Sequence, residues 1–233
     1  MKLAILQTDV LHPEFLQQYH GYGSMFQQMF ASAGIAVESE IFSVIEGIYP
    51  QEPEVFDAML VTGSKADAYS ELPWINTLSD YLRSRYAAGQ KLLGICFGHQ
   101  LLAHALGGKA QRAENGWGVG VMDYQWCHRP QWLHANTNDF KLICSHRDQV
   151  TQLPEGATLL ASNDFCPIAA FNIGDLVLTF QGHPEFVPEY GKALLEKRRV
   201  DIGEQKTAQA LISYQQPHDG LAIAAVMADF ILA

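Results

Sequence analysis

Positive charge is scarce in this sequence. Fifteen lysines and arginines stand against 25 aspartates and glutamates, a formal net charge of −10. Contacts to a phosphate backbone need clustered cations, so a nucleic-acid partner is not expected. The one dense basic stretch, EKRRV at Glu196–Val200, reads as the wet face of a helix. No apolar run approaches the length of a membrane span, and the opening MKLAILQTDV holds too short an apolar run for a signal segment. A cytoplasmic protein with no membrane partner is the expectation. Cysteine is scarce as well. Cys96, Cys127, Cys144 and Cys166 form no CxxC pair and no framework spacing, which fits reduced thiols. The stretch CHRPQWLH offers Cys127, His128 and His134, but at an irregular spacing that does not describe a metal site, and none is expected. Internal repeats, low-complexity tracts, linkers and a phosphate-binding P-loop are all missing.

What is present is an ordinary globular composition, 48% hydrophobic and 17% charged over 233 residues, ample for a sizeable core. KLAILQ reads as a buried strand, GSMFQQMFASAG as a helix closed by Gly34, and IAVESEIF and FDAMLVTGS as further strands. LPWINTLSDYLRSRYAAG is helical up to Gly89; KLLGIC is a strand and FGHQLLAHALGG a helix. Strands alternating with helices across short loops predict a doubly wound, mostly parallel sheet with helices on both faces. From Lys109 to about Gly182 short runs separated by turn residues predict an antiparallel β extension, and the chain after Pro188 reads as helical. One α/β domain is expected over residues 1–233, with its core at about 3–190 and C-terminal helices at about 188–233.

The most informative stretch is KLLGICFGHQLLAHALGG. Cys96 stands in G-x-C-x-G, where a buried strand gives way to a helix, the context of a nucleophile elbow. A sharp, crowded turn favours the glycines Gly94 and Gly98 and pushes the side chain between them out at the sheet edge. The helix N-terminus favours a thiolate there, and the N–H of Phe97 is placed to bind an oxyanion. The bland alternative, an inert core thiol, describes the other three cysteines better than this one.

An activated cysteine needs a base, and the base needs an orienter. The tetrapeptide HPEF occurs twice, at His12–Phe15 and at His183–Phe186. In both, proline biases the histidine towards extended backbone, where residues two apart share a side. The second copy follows LVLTFQG, a buried strand that would end at the ligand-binding edge of an α/β sheet. The first lies in a polar, aromatic loop that could rim a pocket, and nothing marks it as catalytic.

The segments VTGSKADAY…PWI, GICFGHQLLAHALGGK, CSHRDQV and LTFQGHPEF, in this order and spacing, resemble a class I (triad) glutamine amidotransferase. The likeness runs from about Leu3 to Tyr190 and is nearest to free-standing forms similar to the glutaminase domain of GMP synthetase and to γ-glutamyl peptidases. It implies a flavodoxin-like fold, Cys96 as nucleophile, His183 as base and acid, and Glu185 as orienter. It further implies an oxyanion hole from the N–H groups of Gly63 and Phe97, and substrate contacts from Gln100, Ser145 and His146. No cofactor is called for. There are departures: Gly182 stands where relatives often carry a bulky side chain, which suggests a wider pocket, and Gly63-Ser64 replaces a commoner Gly-Gly. No second α/β domain is present to receive ammonia.

The expected activity is hydrolysis of the γ-amide of glutamine through a thioester on Cys96, with a separate synthetase subunit as the partner. The alternative is a self-sufficient hydrolase of γ-glutamyl peptides or conjugates. A silent regulatory or scaffold subunit is a third reading, against which the intact Cys96–His183–Glu185 set counts. His99 and His104 read as core or helix-surface residues, Trp117, Trp126 and Trp132 as sheet packing, and Asp148 as an orienter or turn cap.

Overall fold

Runs of apolar residues without polar alternation suit strands covered on both faces. The computed structural model, which describes residues 1–135 and 138–233, forms such strands from β1 (Lys2–Gln7), β3 (Ala58–Val61) and β4 (Lys91–Ile95), and closes the parallel set with β11 (Val177–Phe180). The strand β2 (Glu38–Ser43), half exposed, is their outer edge. The spatial order β2-β1-β3-β4-β11 is parallel throughout.

Four antiparallel neighbours extend the sheet: β10 (Ala170–Ile173), β9 (Thr158–Ser162), β6 (Gly118–Trp126) and β7 (Phe140–His146), giving nine strands in all. A separate ribbon pairs β5 (Lys109–Arg112) with β8 (Asp148–Gln152). The expected doubly wound sheet with an antiparallel extension is the observed one.

The period of two along each strand sorts the core into layers. Leu3 and Ile5 of β1 face α2 (Tyr22–Ser32) and α8 (Gly220–Leu232), where Phe26, Phe30, Met227 and Phe230 are buried. Ala4 and Leu6 face α3 (Pro73–Ala87) and α4 (Phe97–Ala105), through Ile75, Leu78, Leu82 and Leu101. At about 1.5–3 kcal/mol for each large apolar side chain fully buried, these two layers are the main source of stability. A third cluster joins α1 (Pro13–Tyr19), α5 (Pro188–Lys197) and α7 (Glu204–Ser213) to β6 and β7, and α6 (Arg199–Ile202) links α5 to α7. The segment expected as a polar loop at the first HPEF is therefore partly helical. His12 is the residue before α1, with Pro13 in the first turn, where its missing N–H costs nothing.

Gly98 shows how tightly β3 and α4 approach: a Cβ there would lie 2.3 Å from the carbonyl oxygen of Val61. A backbone oxygen cannot swing aside as a side chain can. Gly98→Ala should destabilise the protein by about 1–3 kcal/mol, read as a lowered urea midpoint at unchanged m-value. A midpoint equal to that of the parent would show that β3 and α4 part easily.

Candidate active site

The segments around Cys96 leave the C-terminal ends of parallel strands, the edge where α/β sheets place ligands. Thr8 and Asp9 follow β1, Gly63 follows β3, Cys96 follows β4, and Gln181–Glu185 follow β11. Because β4 lies between β3 and β11, Cys96 emerges between Gly63 and His183. Cys96 has φ 53° and ψ −100°, one of two non-glycine residues with positive φ among those described, and its N–H donates to the Phe180 carbonyl at 2.9 Å. A side chain in this region is sterically disfavoured and is held only where its surroundings fix it. Phe97 opens α4, so its N–H has no carbonyl a turn earlier to bond.

Gly63 touches both partners: a Cβ on it would meet His183 Cε1 at 2.9 Å and Cys96 Cβ at 3.8 Å. Its carbonyl accepts a hydrogen bond from Thr8 Oγ1 at 2.9 Å, which fixes the orientation of that peptide group. His183 is held from three sides. Its N–H donates to Ile143 of β7 at 2.8 Å, Glu185 Oε1 lies 2.7 Å from its Nδ1, and Phe186 stacks on the ring at 3.9 Å between centroids. The chain turns at Pro184-Glu185. The two side chains thus meet through a turn and not through the extended backbone expected from the sequence.

A cavity of about 200 Å³ opens beside Cys96, bordered by Gln100, Ser145, His146 and Asp148. Gln100 Nε2 donates to the Asp148 carbonyl at 2.7 Å and to Gln181 Oε1 at 3.0 Å. The same Asp148 carbonyl lies 3.1 Å from His146 Nδ1. Asp148 therefore orients two neighbours through its backbone. Arg147 Nη2 donates to Asp67 Oδ1 at 2.6 Å, tying the loop after β3 to the β7–β8 turn across the mouth of the cavity.

Two residues that also border this cavity escaped the sequence reading. Arg198 donates to Ser145 Oγ at 2.8 Å and lies 5.5 Å from the ring of Trp117, so it does not belong to a wet helix face. Its signal was present: Gly191, Leu194 and Leu195 of α5 are buried, and residue 198 continues that stripe at helical spacing. Arg199, which pairs with Glu196 and Glu204, is the solvated residue that the basic run predicted. Of the three tryptophans expected to pack the sheet, Trp126 does so against Phe140, whereas Trp132 packs on Phe230 of α8 and Trp117 lies beside Arg198.

One further expectation, at Gly182, needs correction. Gly182 does not widen the pocket: a Cβ there would point at Leu142, 2.7 Å from its Cβ, into the packing against β7. Among the described residues no group of three or more metal-ligating side chains forms, and the Cys127 thiol faces Ser162 Oγ at 3.2 Å instead. His99 is a core residue bonded to Thr179 Oγ1 at 2.8 Å, while His104 is exposed.

Three buried histidines differ in charge. Burial disfavours an imidazolium at each. It lowers His99 to about 3 and His146 to about 4, since backbone carbonyls compensate only in part. At His183 burial acts in the same direction, yet the Glu185 carboxylate and then Cys96, through charge and hydrogen bonding, outweigh it and raise the ring to about 10. Asp148 is pushed up to about 6 by burial and by the neighbouring Asp67 carboxyl.

A cysteine at a strained strand-to-helix turn, backed by a charged histidine and a buried glutamate, is the frame in which the comparisons fall. The family model for class I glutamine amidotransferases matches residues 17–202. The chain belongs to that family. Among its relatives, γ-glutamyl peptidase 3 of Arabidopsis thaliana is 35% identical over 76% of this chain and 74% of its own length. The GMP synthase of Bacteroides fragilis is 30% identical over 66% of this chain, which is 30% of that protein. A glutamine amidotransferase from Thermotoga maritima has the same fold, with a TM-score of 0.80 at 17% identity over 100% of this chain and 99% of its own. Among the described residues of this amidotransferase-family chain, no helix is long and apolar enough to cross a membrane.

Histidine NMR can check the charges. At neutral pH the His183 ring should carry two protons while His99 and His146 remain neutral. Glu185→Gln should bring His183 down, because the charge that outweighs burial is gone. A neutral His183 in the parent protein would refute this account of the site.

Proposed function

We propose that the protein hydrolyses γ-glutamyl amide bonds through a γ-glutamyl thioester on Cys96, acting unaided on γ-glutamyl peptides or conjugates. The observation that carries the proposal is the convergence on His183: Glu185 Oε1 holds its Nδ1 at 2.7 Å, which leaves the other ring nitrogen for Cys96. The thiol proton already rests on that nitrogen, and the sulfur attacks the γ-carbonyl carbon. The N–H groups of Gly63 and Phe97 receive the oxyanion. His183 then gives its proton to the departing amine and takes another from the water that cleaves the thioester, releasing glutamate. Glu185 keeps the ring oriented and stabilises its charge throughout. Gln100, Ser145 and His146 border the space for the glutamyl end, with Arg198 behind Ser145.

The peptidase names of the Arabidopsis relatives support the peptide reading. Similarity to the GMP synthase of Bacteroides fragilis supports a second, in which the chain hydrolyses glutamine and passes ammonia to a synthetase subunit.

Assay of the isolated protein with glutamine and with γ-glutamyl dipeptides separates the two. Saturable turnover of at least one dipeptide is expected, abolished by Cys96→Ala and lowered about 10²–10⁴-fold in kcat by Glu185→Gln. If glutamine is hydrolysed only after a partner is added and no dipeptide is cleaved at all, the synthetase-subunit reading holds instead.

A glutamine-like chloroketone should label Cys96 first. Burial raises the Cys144 thiol to about 12 and raises Cys166 as well, so both stay protonated at neutral pH. Mass spectrometry that finds another cysteine labelled and Cys96 intact would remove the nucleophile from this mechanism.

A further inference from the structure

A second hollow, of about 440 Å³, lies next to the first, and Lys65 and Arg198 border both. Its wall is apolar, formed by Leu11, Phe15, Leu16, Tyr22, Tyr190 and Leu194. It lies on the histidine side of the site. Phe186, stacked on His183, is itself stacked on Tyr22 at 6.4 Å and packs edge-on against Tyr190 at 4.7 Å. In any γ-glutamyl amide the departing nitrogen must lie beside His183, so whatever that nitrogen carries continues to this side. The glutamyl end occupies the first cavity, on the side of Gln100 and Ser145.

Resting on the reading of the site as a γ-glutamyl hydrolase, we infer that this second hollow is the leaving-group site. It takes an amino acid or short peptide with an apolar side chain at its first residue and a free carboxylate. The side chain would lie on the aromatic wall, and the carboxylate would face Lys65 and Arg198 at the junction. The charge balance favours this occupant. In a chain of net charge −10, three cations are gathered on one hollow: Lys65 is paired with Asp9 at 3.1 Å and Lys197 with Glu14 at 2.9 Å, which leaves Arg198 without a carboxylate partner among the described residues. The assignment also gives the first HPEF a place: His12 and Phe15 line the leaving-group side, and Phe15 packs on Tyr190 at 5.4 Å between centroids.

Three substrates test the inference: γ-glutamylmethylamide, γ-glutamylphenylalanine and γ-glutamylphenylalaninamide. The parent protein should prefer γ-glutamylphenylalanine over the methylamide by about tenfold or more in kcat/KM, as expected for burying a phenyl group. Leu16 is partly exposed and outside the catalytic set, so Leu16→Glu should fold normally. It should remove most of that preference and leave methylamide hydrolysis unchanged. Lys65→Gln should lower the ratio of carboxylate to carboxamide substrate by about threefold to fivefold, the worth of an exposed charge pair. Equal rates on all three substrates in the parent, or equal losses on all three in Leu16→Glu, would overturn the leaving-group site while leaving the γ-glutamyl hydrolase intact. No hydrolysis of any of them would overturn both.

Discussion

The site depends on how closely three backbone segments approach one another. The ends of β3, β4 and β11 meet with no room for side chains: a Cβ at Gly94 would lie 2.6 Å from the Gly98 carbonyl, and one at Gly63 would push on His183. Parallel pairing of β4 with both β3 and β11 sets the order, and the Cys96 N–H bond to Phe180 sets the register at the turn. Positive φ at Cys96 is the local result. Strain of order 1–3 kcal/mol at such a residue is small beside the two apolar layers that hold the strands in place. The scaffold therefore carries the strain, and the thiol is aimed without freedom to turn away.

Burial alone would leave every histidine near this turn uncharged. His99, His146 and His183 are all at least 97% covered, and only the last is raised. What differs is the partner. His99 and His146 face hydroxyl and carbonyl groups, whereas His183 has a carboxylate at 2.7 Å whose side chain is wholly inaccessible. At that distance, in a medium of low effective dielectric, a full charge outweighs the desolvation cost of the ring. The contrast identifies Glu185 as the group that holds the His183 ring charged.

Much of this was legible in the sequence because it depends on local chemistry. Alternation of strands and helices gave the sheet, and Gly94, Cys96 and Gly98 at a strand-to-helix change gave the turn. What was not legible depends on tertiary approach. Gly182 suggested a wider pocket because relatives often carry a bulky side chain there, but a side chain at 182 would face Leu142 in the packing against β7. Arg198 was hidden by its company. Its charged neighbours Glu196, Lys197 and Arg199 look uniformly solvated unless the helix stripe is counted through them, and Trp117, its stacking partner, is 81 positions away in the chain. The β5–β8 ribbon and the Asp67–Arg147 tie likewise join segments that no periodicity connects.

The two HPEF copies show how little a motif fixes by itself. Each pairs its histidine with the glutamate two residues on: His12 Nδ1 lies 3.5 Å from Glu14, and His183 Nδ1 lies 2.7 Å from Glu185. In the first copy both side chains are about half exposed, and Glu14 is shared with Lys197 at 2.9 Å. Such a pair, in water and with its carboxylate shared with a lysine, commits neither group. In the second copy the pair is sealed under Phe186 and pinned to Ile143 by a backbone bond, so the same two residue types become a buried, charged pair beside the Cys96 thiol. Identity of sequence supplies the pairing. Burial supplies the chemistry, and burial here comes from where β7 and β11 deliver the chain.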